Sequence, residues 1–315
     1  MEHEDYPEDF EQFITRFATE QDCYDYIFSL RWPQGFVCPR CNGDRSWKSK
    51  RSLLICSECG HQVSIIAGTI FQGTRKPLRL WFHVMWWMVS QKTGASAKNL
   101  QHTMGFRRYE TAWTWLHKLR RAMIRPDRDQ LKGTVEVDET FIGGIETGAK
   151  GRKTETKTLV VIAVEVKEKK LGRIRFRIIP DASADSLIPF IKDNISPSSI
   201  VITDGWLGYV PLKKEKYEHV IHNISQSKES ASELLPHIHL IVSLIKRWLM
   251  GTHQGAVSPK HLADYLDEYA FRFNRRLSTH RGKLFYRLMQ QSVSTTATSR
   301  LEIVSGKKEL PLHVV

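Results

Sequence analysis

Apolar residues along this chain change their spacing twice. Between positions 8 and 30, Phe10, Phe13, Ile14, Phe17, Tyr24, Ile27 and Phe28 recur at three and four, which predicts a helix. Cys23 falls inside that pattern and reads as a buried thiol. Trp32-Pro33-Gln34-Gly35 breaks it, and residues 36 to 70 read as short strands and turns around four cysteines. Helical spacing returns between 77 and about 125, in three pieces. Residues 80 to 89 are apolar nearly all round, which predicts burial. After a break at Lys92-Thr93-Gly94-Ala95, Ser96 is the expected N-cap of a helix over 97 to 104, with Gly105 as its stop. The next helix runs from about 108 to 125 and places Tyr109, Ala112, Trp113, Leu116, Leu119 and Met123 on one side. Three helices with short breaks predict a helix-turn-helix unit.

From residue 131 the spacing falls to two. Residues 135 to 142, 158 to 166, 173 to 179 and 200 to 203 read as strands, and 220 to 222 as a short fifth. A crossover helix is expected over 183 to 194, with later helices over about 233 to 250 and 259 to 274. Three consecutive strands followed by alternating helix and strand predict a mixed sheet with covering helices, so an α/β multidomain chain. The expected division is 1–76 for the first helix and cysteine-rich region, 77–130 for the helical region and 131–291 for the sheet domain. Residues 292–315 form a weakly periodic tail that is expected to be poorly ordered.

Charge narrows the partner. The 315 residues carry a net charge of +13, which points to a polyanion and first to nucleic acid. The first dozen residues are acidic; the basic ones lie downstream, at Lys48, Lys50, Arg51 and in the stretches 107 to 128 and 272 to 287. The acidic N-terminus lacks a signal-peptide pattern, and the most apolar stretch, 81 to 89, falls far short of a membrane helix. A soluble cytoplasmic protein is expected.

Four of the five cysteines are clustered, which argues against a disulfide scaffold. Cys38-Pro39-Arg40-Cys41 and Cys56-Ser57-Glu58-Cys59 are two CxxC knuckles. Two thiolates from each tight turn complete a tetrahedral Zn²⁺ set with no open position, so structural zinc is expected. Trp47, Lys48, Lys50 and Arg51 lie between the knuckles, and either DNA contact or an exposed basic turn accounts for them.

Two aspartates carry the candidate chemistry. Asp138 lies within Val135-Glu136-Val137-Asp138-Glu139-Thr140-Phe141-Ile142-Gly143-Gly144, and Asp204 closes Ile200-Val201-Ile202-Thr203 ahead of Gly205-Trp206. Both sit at or near strand ends, where ligands gather in an open sheet. Two carboxylates brought together there suit Mg²⁺. Adjacent strand residues face opposite ways, so Asp138, not Glu139, is the expected ligand; Val135, Val137 and Glu139 would share the other face.

These strings resemble a known family. Val-Asp-Glu-Thr-Phe-Ile-Gly-Gly, Thr-Asp-Gly-Trp-Leu-Gly-Tyr, the stretch from Leu244 to Gly255, the run from Tyr265 to Arg276 and the N-terminal Trp-Pro-x-Gly-Phe-x-Cys-Pro-x-Cys resemble IS1595-type insertion-sequence transposases with an ISXO2-like domain. The resemblance covers about residues 10 to 290. It implies an N-terminal zinc ribbon, a ribonuclease H-like catalytic domain and DDE-type strand cleavage and transfer with Mg²⁺ or Mn²⁺. The family's usual third ligand is a glutamate seven residues before a lysine. Lys246 matches that lysine, but His239 stands where the glutamate would be. Some branches carry Asn or His there, so the resemblance implies an Asp138, Asp204 and His239 set, with Glu229 or Glu233 as alternatives. Seven residues is about two helical turns, so His239 and Lys246 share a face. Pro236 suits the first turn of their helix, whose dipole favours a neutral imidazole at His239. Imidazole suits Mn²⁺ better than Mg²⁺.

The partner implied is double-stranded DNA, as transposon ends and target, bound by at least a dimer in the active complex. Lys98, Arg107, Arg108, Lys118, Arg120 and Arg121 are the expected DNA-facing residues of the helical region. Arg247 joins Lys246 near the phosphates, and Trp206 is a candidate for stacking on a base. Arg272, Arg275 and Arg276 line the DNA path or form a solvated helix face. Two other functions remain open: a DNA-binding regulator whose catalytic domain is dead, and a ribonuclease H-like nuclease that cuts without joining.

Overall fold

The computed structural model describes residues 4–125, 127–143, 157–168, 170–222, 230–255 and 257–306. The chain divides into two compact units, one of Met1–Pro126 with Leu277–Val315, the other of Asp127–Arg276.

The first unit begins with two helices where one was expected. Helix α1 (Phe10–Arg16) ends, and Thr19 opens α2 (Glu20–Arg31) with a capping box to Asp22. The apolar spacing runs through the break, but the Thr19 hydroxyl and the Asp22 carboxylate satisfy the amides freed there. A small antiparallel sheet follows, with β1 (Ser46–Lys48), β2 (Leu53–Cys56) and β3 (Gln62–Ser64) in sequence order. Helices α3 (Leu78–Ser90), α4 (Ala97–Thr103) and α5 (Tyr109–Arg121) occupy the predicted helical region. Ser96 caps α4 as expected, and Gly105 after it has φ +64°.

Its core is aromatic. Phe13, Phe17, Tyr26, Phe82 and Trp86 close around Phe285, which comes from the far end of the chain. Phe285 belongs to α10 (Arg281–Ser294), which packs on α2 and α3. Residues 277 to 291, assigned by periodicity to the sheet domain, therefore complete the first unit. The expected tail is also structured in part: α11 (Arg300–Ser305) has a capping box from Ser299 to Glu302, buries Ile303 and packs on α5. Residues 307–315 lie outside the described ones.

The second unit is a five-stranded mixed sheet. Strands β4 (Thr134–Ile142), β5 (Thr158–Lys167) and β6 (Lys170–Ile178) form an antiparallel meander. Helix α6 (Ala184–Asn194) crosses over to β7 (Ile200–Thr203), which runs parallel to β4. The 3₁₀ segment Leu207–Lys214 then leads to β8 (Glu218–Ile221), parallel to β7. The spatial order β6-β5-β4-β7-β8 is that of a ribonuclease H-like domain. Three helices follow: α7 (Ala231–Leu234), α8 (Pro236–His253) and α9 (Pro259–Phe273).

Alternation sorts the central strands onto two cores. Val135, Val137, Val161, Ala163 and Val201 pack with α6 and the 3₁₀ segment. Ile142, Val160, Ile162 and Val164 pack with α8 and α9. At the far end of β5, Glu165 is 1% exposed and accepts from Arg173 at 2.9 Å and from Lys132 N at 3.1 Å. Burial by itself would raise this carboxyl, but the Arg173 and backbone hydrogen bonds overcome that and hold it at about 2. Arg272, Arg275 and Arg276, expected either to line a DNA path or to form a solvated helix face, brace this unit. Arg272 pairs with buried Glu268 at 2.8 Å, Arg275 lies over the Phe271 ring, and Arg276 donates to the Leu171 and Gly172 carbonyls of β6. Among the described residues, no helix is long and apolar enough to cross a membrane.

Candidate active site

Register sets the site. In parallel pairing Thr134 lies beside Ile200, Val135 beside Val201 and Glu136 beside Ile202. The pairing ends there, two residues short of Asp138 on β4 and of Asp204 just past the end of β7. Paired residues of parallel strands share a face. Ile202, and Ile162 opposite Asp138 on β5, both belong to the core under α8 and α9. Asp138 therefore projects towards α8, and the Asp204 charge is felt by His239 of that helix; both aspartates are partly exposed.

Glu139 faces the other way, as alternation requires. The buried Tyr209 hydroxyl donates to its Oε2 at 2.9 Å. Burial, then the charges of Glu139 and Asp138, raise that phenol far above its usual range, so it stays a proton donor. Thr-Asp-Gly-Trp-Leu-Gly-Tyr is thus a folded device with a geometric reason for most of its members. Asp204 Oδ1 accepts from Trp206 N at 2.9 Å across Gly205, whose φ is +83°. Trp206 Nε1 donates to Ala182 O at 2.7 Å. A Cβ on Gly208 would stand 2.5 Å from that same carbonyl, so only glycine lets the segment approach.

Helix α8 lies along β4. Ile238 N donates to Glu136 Oε2 at 2.8 Å, and Lys246 Nζ donates to Thr140 Oγ1 at 3.2 Å. Eight residues of helix and four of strand both span about 12–13 Å, so the two tethers fit parallel elements. His239 follows the first tether by one residue, with Asp138 between the two tethers. The His239 Nε2 atom is buried and has no hydrogen-bond partner among the described residues. Burial lowers its pKa; Glu136 and Asp204 oppose that, and Lys246 adds to it. Partial burial and the charge of Lys157 lower the Lys246 ammonium.

A buried imidazole nitrogen without a hydrogen-bond partner among the described residues, within the field of the Asp204 carboxylate, is a donor set that fits a divalent cation. The three ligand groups do not gather as closely as the cysteines do, whose sulfurs all lie within 4.8 Å of one another. Glu233 caps the Ser230 amide and hydroxyl at 2.7 and 2.8 Å, and Glu229 lies outside the described residues.

The four-cysteine site fits zinc directly. Cys38 and Cys59 sulfurs are 3.7 Å apart, and those of Cys41 and Cys56 are 3.6 Å apart. Tetrahedral Zn–S bonds of about 2.3 Å require about 3.8 Å between sulfurs. Phe36, Leu54 and Val63 bury the ribbon's inner side, with Phe28 and Trp32 packed on it. Of the basic loop, Lys48 is engaged, donating to Gln21 Oε1 at 2.8 Å and lying over the Tyr24 ring; Trp47 is exposed.

Residues 130–274 match the ISXO2-like transposase domain of the IS1595 type, and residues 18–62 match the zinc-ribbon domain of the same transposases. The chain belongs to the IS1595-type transposase family. A protein of transposable element ISH50 from Halobacterium salinarum is 25% identical over 297 residues, covering 86% of this chain and 95% of the relative. A chain of the pre-cleavage Mos1 transpososome aligns at 12% identity and a TM-score of 0.27, over 75% of this chain and 82% of that one. As a family member the chain is a DNA transposase with a zinc ribbon and a divalent-metal catalytic domain.

For this transposase the expected DNA-facing residues separate by burial. Lys98, Arg107 and Arg108 are exposed on α4 and the turn before α5. Arg121 is half-buried. Lys118 is half-buried and donates to Ile70 O at 3.3 Å. Arg120 is 1% exposed and donates to Ala95 O at 2.7 Å, which removes it from any phosphate. Arg247 is exposed on α8, and Trp206 is 37% exposed. Three participants were not singled out from sequence: Glu136, His237 and Tyr209. Their roles arise from contacts across about 70 to 100 residues of chain, for which spacing gives no signal.

Proposed function

We propose that this transposase cuts transposon ends and joins the freed 3′-hydroxyls to target DNA, using Asp138, Asp204 and His239 as the divalent-metal ligands. The observation that supports this most is the parallel β4/β7 pairing, which ends two residues before each aspartate, with α8, the helix of His239 and Lys246, bonded to β4 on either side of Asp138. Bound divalent cations supply Lewis-acid activation of the attacking oxygen and neutralise charge on the leaving oxygen.

In the cleavage step a water oxygen bonds to phosphorus, the P–O3′ bond breaks, and the released 3′-oxygen takes up a proton. During joining that 3′-hydroxyl attacks a target phosphodiester, loses its proton and displaces the target's own 3′-oxygen. Asp138 and Asp204 fix where the reacting phosphate is held. Lys246, tethered to Thr140, and the exposed Arg247 bring positive charge to the phosphate path. Lys98, Arg107 and Arg108 hold the duplex outside the catalytic domain. Pairing two ends requires at least a dimer in the active complex.

The test is cleavage and strand transfer on a transposon-end duplex with Mg²⁺ or Mn²⁺. Asp138→Ala and Asp204→Ala are each expected to lower both reactions by about 10³-fold or more, the scale on which groups stabilising transition-state charge act. Wild-type rates in either variant would overturn the proposal. Hydrolysis without joining by the wild type would favour a nuclease.

A further inference from the structure

Glu136 is the least expected residue near the site. It is 4% exposed on the central strand, where an unpaired carboxylate would be strongly unfavourable. Both of its oxygens are in use. His237 Nδ1 donates to Oε1 at 2.6 Å, and Ile238 N donates to Oε2 at 2.8 Å. These donors form the first turn of α8, which lacks what a helix start ordinarily has. Its N-cap position is Leu235, no side chain caps it locally, and its first turn contains no acidic residue. The strand supplies from outside the acceptor and the negative charge that this helix end needs. Glu136 shares a face with Asp138, two residues away, and His239 directly follows the bonded Ile238.

We propose that Glu136 is a positioning residue of the transposase: by gripping the first turn of α8 it sets where His239 stands relative to the aspartates. This rests on the assignment of Asp138, Asp204 and His239 as the metal site. It also gives Glu136 a role distinct from the metal ligands, since both of its oxygens bond the first turn of α8.

Positioning and ligation rank two conservative variants in opposite order. In Glu136→Gln the side chain keeps its length. The amide oxygen accepts from Ile238 N, and the amide nitrogen donates to His237 Nδ1 once the imidazole proton moves to Nε2. In Glu136→Asp the charge is kept but the carboxylate is one methylene short of α8. The full-length, zinc-loaded protein would be assayed for cleavage rate and, separately, for Mn²⁺ affinity by electron paramagnetic resonance. Glu136→Gln is expected to stay within about threefold of wild type in both. Glu136→Asp and Glu136→Leu are expected to lose about 10- to 100-fold, the usual range for residues that orient metal ligands. Duplex affinity should be unchanged in all three.

Asp outperforming Gln, or full activity in the Leu variant, would overturn the inference. If Glu136→Leu does not fold, the Gln-against-Asp ranking still decides. Asp138→Ala and Asp204→Ala are run alongside. Activity in those variants would sink the metal-site assignment, whereas their inactivity with a reversed Gln/Asp ranking would sink only the role of Glu136.

Discussion

The zinc ribbon and the proposed carboxylate site are built in opposite ways. The ribbon's four cysteines span 21 residues, and two tight turns bring their sulfurs to tetrahedral separations without help from distant elements. The proposed catalytic ligands are drawn from positions 101 apart, Asp138 to His239, and each is held by a different neighbour. Asp204 is fixed by the Gly205 turn, the Asp138 strand by pairing on both sides, and the His239 helix by Glu136 and Thr140. A site that keeps its metal for life closes on itself. The proposed site, which would have to admit DNA, leaves its ligands apart and anchors each from behind.

That contrast is open to attack, and the largest effect should come from the closed site. Chelating zinc, or replacing Cys59 by Ser, should unfold the ribbon, because structural zinc contributes about 10–16 kcal/mol in comparable sites. Circular dichroism and Trp47 fluorescence would register the loss, while the sheet domain should keep its own melting transition. Simultaneous loss of both transitions would show that the ribbon is not self-contained.

The anchoring of the sheet domain should show in acid. Glu165 has a folded pKa depressed from 4.5 to about 2, so its contribution is complete above pH 4.5 and fades as pH falls towards 2. The shift corresponds to at most about 3 kcal/mol. In Glu165→Gln the stability slope between those pH values should flatten, as measured by urea melts; an unchanged slope would remove the assignment.

His239→Ala should lower cleavage by about 10²-fold, and His239→Glu should shift the metal preference from Mn²⁺ towards Mg²⁺. Glu233→Ala should do neither, because that carboxylate serves Ser230. Equal losses in the His239 and Glu233 variants would make the site less sharply defined than proposed. The smallest effects belong to the DNA-facing turn. Arg107→Ala and Arg108→Ala should each reduce the salt dependence of duplex binding by about one unit of slope. Arg120→Ala should leave that slope alone and lower stability instead.

Much of this was legible from residue order. The strand and helix spacings located all five strands of the sheet domain and its crossover helix, and the β4 parity separated Asp138 from Glu139. The CxxC pairs located the zinc ligands because every contact they need is local. What spacing missed depends on distant partners. Arg120 shares a charged run with Arg121, yet only packing reveals that its guanidinium is buried against Ala95. Glu136 received no role from sequence, because nothing nearby foretold that a helix 101 residues later would need its carboxylate. The split between α1 and α2 was readable in the Thr19 and Asp22 capping box and was masked by the apolar spacing running through it.

The first unit is assembled from both ends of the chain, with Phe285 at the centre of its aromatic core. A ribosome must therefore make the whole sheet domain before the first unit can close. Chains that stop early would lack α10 and leave Phe13, Phe17 and Trp86 exposed, so that they fall to proteolysis. Residues 1–126 expressed alone should melt without cooperativity and recover it when a peptide spanning 277–306 is added.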